Sequence, residues 1–161
     1  MQDTITFIMH GQGLKNQNVA NIILAGYTAD PLRTLLESLT NEVTELSSNE
    51  KKIVKNIFTR IQKITSVRND IVHSTWFIGY GNSTTTDFSE TSGLKLHKNR
   101  NGADFKSFKY VAEDYSVFTD EADKLQSLVR RLNGCLIVGS KIENNFKFND
   151  DKEVIAFSEK S

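Results

Sequence analysis

From about Asn49 to Trp76 the apolar residues Ile53, Val54, Ile57, Ile61 and Ile64 recur at spacings of three and four. That period predicts a long helix burying one face. Arg68 continues the stripe, within about 40° of Ile57 and Ile64 at ~100° per residue. A permanent cation therefore stands where an apolar side chain is expected.

Ahead of this helix, residues 4 to 9 and 19 to 25 are apolar segments separated by Gly11-Gln12-Gly13. The first reads as a strand or a buried helix, and helix is preferred. Asp30-Pro31 predicts a start with Asp30 as N-cap and Pro31 as first helical residue, carrying Leu32, Leu35, Leu36, Leu39 and Val43 on one face. Ser47 to Glu50 is a polar break that supplies caps for the long helix.

Beyond Phe77, Gly79, Gly81 and residues 83 to 86 read as a loop. Alternating residues around Asn101-Gly102 predict a β-hairpin at about 93–111. Thr119-Asp120-Glu121 opens a closing helix with Leu125, Leu128, Val129, Leu132, Leu136 and Ile137 facing the core. The expectation is one mainly α domain over residues 1–143, followed by a tail or short second hairpin over 144–161.

Length and composition narrow the classes without naming a function. The 161 residues suit one domain, and 25% charged with 38% hydrophobic residues disfavours disorder. Twenty basic and twenty acidic residues cancel, so attraction to nucleic acid would need a local patch. Cys135 is the only cysteine and lies in an apolar run, which reads as a buried hydrophobe rather than a nucleophile. No signal peptide or membrane-length run is present, so a cytoplasmic protein without membrane partners is expected.

Arg68-Asn69-Asp70-Ile71-Val72-His73 carries the candidate chemistry. An arginine followed by a polar residue and, after four intervening positions, a histidine, late in a long amphipathic helix, resembles the HEPN family signature. The match itself covers only about residues 50 to 78. Element order beyond it is similar to that family's helical bundle: a long central motif helix, a β-hairpin insertion and a closing helix.

The resemblance implies a metal-independent endoribonuclease without cofactors, acting at a composite site in a homodimer, in a toxin or antiviral-defence context. An antitoxin or regulatory protein would be a further partner. In some toxins of that family a tyrosine two places after the histidine is modified by a partner antitoxin. Here that place is Thr75, a departure that puts such modification in doubt.

The implied roles are chemically coherent. An imidazole exchanges protons near neutral pH, so His73 suits a general acid or base. A guanidinium grips phosphate and stabilises developing charge, the role of Arg68. Asn69, four residues before His73, shares its helical face and could orient the ring. Arg68 and His73 diverge by about 140° on an ideal helix and lie roughly 7.5 Å apart along it. Helix distortion, a long reach by Arg68, or completion by a second chain would resolve that divergence.

Other readings weigh against these. Arg68 could clamp helix carbonyls or a buried acid, His73 could be structural, and Asp70 a solvated acid or a cation's partner. The whole could be a catalytically inactive dimerisation module, or one that binds RNA or a nucleotide.

Lys51, Lys52, Lys55, Arg60 and Lys63 add positive charge to the motif helix, and Lys95, Lys98, Arg100, Lys106 and Lys109 add it to the hairpin. Of these, Lys63 and the five hairpin cations are the RNA-binding candidates. Interleaved Phe105, Phe108 and Tyr110 supply rings for base stacking. The same lysines also fit ordinary edge protection of an exposed strand.

Overall fold

A computed structural model describes residues 1–81, 84, 86–99 and 102–157. The architecture is mixed α and β, not the mainly α bundle expected. Among the described residues there are five α-helices, a three-stranded antiparallel sheet and a two-stranded one. The chain divides into two compact units: residues 1–62 with 124–161, and residues 63–123.

The first unit contains helices α1 (Gln2–Gly11), α2 (Gln17–Leu24) and α3 (Ala29–Val43). It also takes most of α4 (Ser48–Val72) and the latter half of α5 (Ala112–Val138). Among the described residues, all the buried apolar side chains lie here. Ile5 and Ile8 of α1, Ala20 and Leu24 of α2, and Arg33, Leu36 and Thr40 of α3 are buried at spacings of three or four, as a one-faced helix requires. On α4 the stripe Ile53, Val54, Ile57, Phe58 and Ile61 is buried, and on α5 Leu125, Leu128, Leu132 and Cys135.

Helix α3 begins at Ala29 with Thr28 as N-cap, earlier than Asp30-Pro31 suggests. Pro31 is then the third helical residue, still among the N–H groups that lack an intrahelical acceptor. Asp30 instead holds Arg33 at 2.9 Å.

The start of α4 is a reciprocal cap. Ser47 Oγ accepts from Glu50 N at 3.2 Å, and Glu50 Oε2 accepts from Ser47 N at 2.9 Å. Glu50 Oε1 also accepts from Ile142 N at 2.7 Å. Burial pushes the Glu50 carboxyl up, but these backbone N–H groups outweigh it and hold it below its ordinary value. Glu50→Ala is expected to cost about 1–3 kcal/mol in urea unfolding, because it removes a cap and orphans a buried N–H.

The tail forms a hairpin of β4 (Phe146–Phe148) and β5 (Val154–Ala156). Asn56 Oδ1 accepts from Val154 N at 3.1 Å, and Arg60 Nη1 donates to Val154 O at 2.9 Å. Arg60, counted among the basic surface in the sequence, is thus buried and structural.

The second unit contains the end of α4, strands β1 (Thr75–Gly81), β2 (Thr86–Asn99) and β3 (Gly102–Tyr110), and the start of α5. The expected hairpin is present as β2 and β3, with Leu96 opposite Phe105 and Asn99 opposite Gly102. Two expectations fail here. Helix α4 stops at Val72, and Thr75 to Gly81 is a strand, which takes in Gly79 and Gly81 of the expected loop, while its last residue, Thr86, opens β2. Thr75-Trp76-Phe77-Ile78 is β-branched and aromatic, a composition that favours a pleated surface over a helix.

Helix α5 also starts seven residues before Thr119, where Asp114 Oδ2 accepts from Val111 N at 2.9 Å. Thr119 is mid-helix, and its hydroxyl donates to Tyr115 O at 2.9 Å.

Gly93 sits at the centre of the sheet, opposite Trp76 on one side and Phe108 on the other. A Cβ there would overlap the Phe108 ring, with Cδ2 at 2.8 Å. The vacancy lets Trp76 and Phe108 meet edge to face, centroids 5.6 Å apart. Gly93→Val is therefore expected to destabilise this unit by about 1–3 kcal/mol through overpacking, seen as a lower melting temperature. Gly93→Ala should show a smaller loss.

Candidate functional site

The motif occupies the last turn of α4, where a helix leaves four carbonyls without intrahelical partners. Three are taken here by side chains. Lys95 Nζ donates to Asn69 O at 3.3 Å, the Ser74 hydroxyl donates to Asp70 O, and Trp76 Nε1 donates to Ile71 O at 2.6 Å. A longer helix would need the last two carbonyls for the N–H groups of residues 74 and 75, so these bonds end α4. His73 N still donates to Asn69 O at 3.1 Å, as the next helical residue would.

Beneath this cap lies Asp70, 6% exposed. Its Oδ1 accepts from Lys95 Nζ at 2.9 Å, and its Oδ2 is paired with Lys106. Burial pushes the carboxyl up, but the hydrogen bonds and charges of Lys106 and Lys95 outweigh it and hold it below its ordinary value. Lys95 and Lys106 are opposite one another in β2 and β3, so one acid on α4 fastens both strands.

An aromatic cluster completes the unit. Tyr110 lies 5.8 Å from Tyr115 and 5.2 Å from Phe118, and Trp76 is 6.1 Å from Tyr110. Burial first, and the Asp70 charge second, push the Tyr110 hydroxyl above its ordinary value.

Arg68 and His73 are both exposed, and Asn69 is half-buried. Arg68 Nη1 donates to Asn69 Oδ1 at 3.2 Å, so the amide oxygen engages the guanidinium rather than the imidazole. No carboxylate pairs with Arg68 among the described residues. The apolar stripe is buried only as far as Ile61, half-buried at Ile64 and open at Arg68. The cation on the stripe thus lies beyond the buried core.

The RNA-binding candidates separate. Lys63 and Lys109 are exposed. Lys95 and Lys106 are engaged by Asp70, and Lys106 also lies over Phe108, 5.8 Å from the ring centre. The backbone of Lys98 pairs with Ala103, its side chain lies outside the described residues, and so does Arg100.

In the sequence Asp70 reads as a solvated acid or a cation's partner, with catalysis the lesser reading, and Ser74 and Trp76 have no role. The available signal for Asp70 was its position as the sole acid between residues 51 and 73, beside a lysine-rich hairpin.

Among the described residues, no helix is long and apolar enough to cross a membrane. The guanidinium and the imidazole are both open to solvent. No family model, characterised protein or solved structure matches this chain.

Proposed function

We propose that the chain is a metal-independent endoribonuclease of HEPN type, cytoplasmic and homodimeric, serving as a toxin or in antiviral defence. His73 acts as general acid or base, Arg68 holds the scissile phosphate, and Asn69 orients Arg68. An antitoxin or regulatory protein would complete that setting. The observation that carries this reading is the exposure of Arg68 together with His73 at one helix end, with no described acid engaging the arginine. A structural clamp would be buried and paired.

The His73 N–H bond to Asn69 O keeps the histidine close to the helical path. The divergence of about 140° between Arg68 and His73 is therefore not relieved by a break before His73. That supports completion of each site by a second copy across a two-fold axis.

One observation favours a second reading, an inactive module that binds RNA or a nucleotide. No described side chain hydrogen-bonds the His73 imidazole, whereas catalytic imidazoles usually have an orienting partner. Incubation of purified protein with RNA in chelator separates the two. The nuclease reading expects cleavage that His73→Ala removes, and the module reading expects RNA bound and intact.

A further inference from the structure

Helix α2 is apolar on two sides. Ala20 and Leu24, four residues apart, are buried against the first unit. Val19, Ile22 and Ile23 recur at spacings of three and four within an arc of about 100°, and Ile22 points about 180° away from the midpoint of the buried pair. Side chains so spaced touch along a helix, so the outward stripe is continuous. Val19 is 38% exposed, Ile22 74% and Ile23 44%. Tyr27, whose N–H donates to Leu24 O at 3.1 Å just past the helix, is 44% exposed. Among residues 11–31, every residue but Leu14, Ala20 and Leu24 is exposed.

The helix needs a cover for this side. It has only 8 residues and buries one alanine and one leucine, whereas a helix this short is marginal without packing, and a helix apolar all round is normally enclosed.

The charge pattern argues for what that cover is. In a chain with 25% charged residues, no charged side chain occurs between Lys15 and Asp30. Asp30 is paired with Arg33. Partners that associate transiently meet through surface about as polar as the rest of the protein, whereas homodimer interfaces are more apolar. Near a two-fold axis each group meets its own copy, so an ionised group there would face a like charge. The α2 stripe has none to oppose. Its flanking amides, Asn18 and Asn21, are exposed, and an amide both donates and accepts, so it can pair with itself. Antiparallel pairing keeps Lys15 of each copy at opposite ends of the contact.

We propose that two copies of this chain pair through α2, antiparallel about a two-fold axis at Ile22, so that the two outward stripes cover each other. The proposal rests on the homodimeric reading above and names its surface.

The test is sedimentation equilibrium of wild type, Ile22→Asp and Ile22→Lys. Wild type should be a dimer, and each variant should dissociate about 30-fold or more readily, as loss of a central interface residue does. An equimolar mixture of the two variants should dimerise again, because unlike charges then meet across the axis. Ile22 is largely exposed, so the far-UV circular dichroism of each variant should hold.

A monomeric wild type overturns the proposal, as do variants that dimerise like wild type. A mixture of folded variants that stays monomeric overturns the pairing at Ile22. A short bismaleimide should join two copies of Ile22→Cys, while Cys135, 4% exposed, is shielded; failure to join them overturns the proposal without reliance on a charged variant.

RNA assays on the same samples keep the readings apart. Dimers in all variants retain the homodimer and reject this surface. Monomeric variants that cut RNA as wild type does support the surface and reject the composite site. A dimeric wild type that leaves RNA uncut, with monomeric variants, supports the surface and rejects the nuclease.

Discussion

His73→Ala is expected to lower RNA cleavage in chelator by about 10²- to 10⁴-fold, the range for loss of a positioned general acid or base. The His73 side chain is exposed just past the end of α4 and has no described hydrogen-bond partner, so its removal should leave the melting temperature within about 1 °C. Separation of activity from stability is the signature sought. His73→Gln should not restore turnover, because an amide cannot shuttle a proton near neutral pH. Cleavage rates and melts on the same preparations check this, and full activity in His73→Ala would remove the histidine from the mechanism.

Asp70→Ala is expected to do the reverse first: destabilise by about 2–4 kcal/mol in urea unfolding. The estimate sits below the upper range for broken buried pairs because Lys106, with its side chain 51% exposed, can turn to water. Lys95, at 18%, cannot do so as readily. Activity should fall as well, since the α4 turn that carries His73 loses the Lys95 anchor.

The pH dependence follows from the depressed carboxyl. A folded-state value below the unfolded one stabilises at neutral pH, and the gain is lost as pH falls through the folded-state value. The gap between wild type and Asp70→Ala should therefore be full at neutral pH and close in acid. A gap independent of pH would assign the loss to packing instead of charge.

The helices of the first unit were legible because their signal is local. Ile53, Val54, Ile57 and Ile61 repeat at the helical period, and Ser47 with Glu50 reads directly as a cap. The end of α4 was not legible, because it is decided at a distance. Apolar spacing continues to Phe77, yet the Trp76 indole and the Ser74 hydroxyl take the carbonyls that further helix would use.

The third strand was missed for the same reason. Gly79, Gly81 and the polar run that ends at Thr86 look like a loop until β1 and β2 pair, with Gly81 opposite Thr86. The short turn signal at Asn101-Gly102 was enough to give the β2 and β3 hairpin.

At the candidate site, the motif stood out in sequence because Arg68 breaks an apolar stripe. Where that stripe leaves the core could not be read, since burial depends on what packs against it. The same holds for the lysines. Lys95 and Lys106 share a face by alternation and Lys109 lies on the other, but which face turns inward is shown only by the position of Asp70, which engages the first two.

The central claim is that Arg68 of one copy and His73 of another act on the same phosphate. The most direct measurement mixes two variants, Arg68→Ala and His73→Ala, each inactive alone, after subunit exchange under mild denaturant. In a mixed dimer one of the two composite sites keeps both groups. With random pairing the mixture should then recover about one quarter of wild-type RNA cleavage, as two-fold symmetry dictates. Exchange demonstrated by mass-tagged subunits without any recovery of cleavage would contradict the composite site.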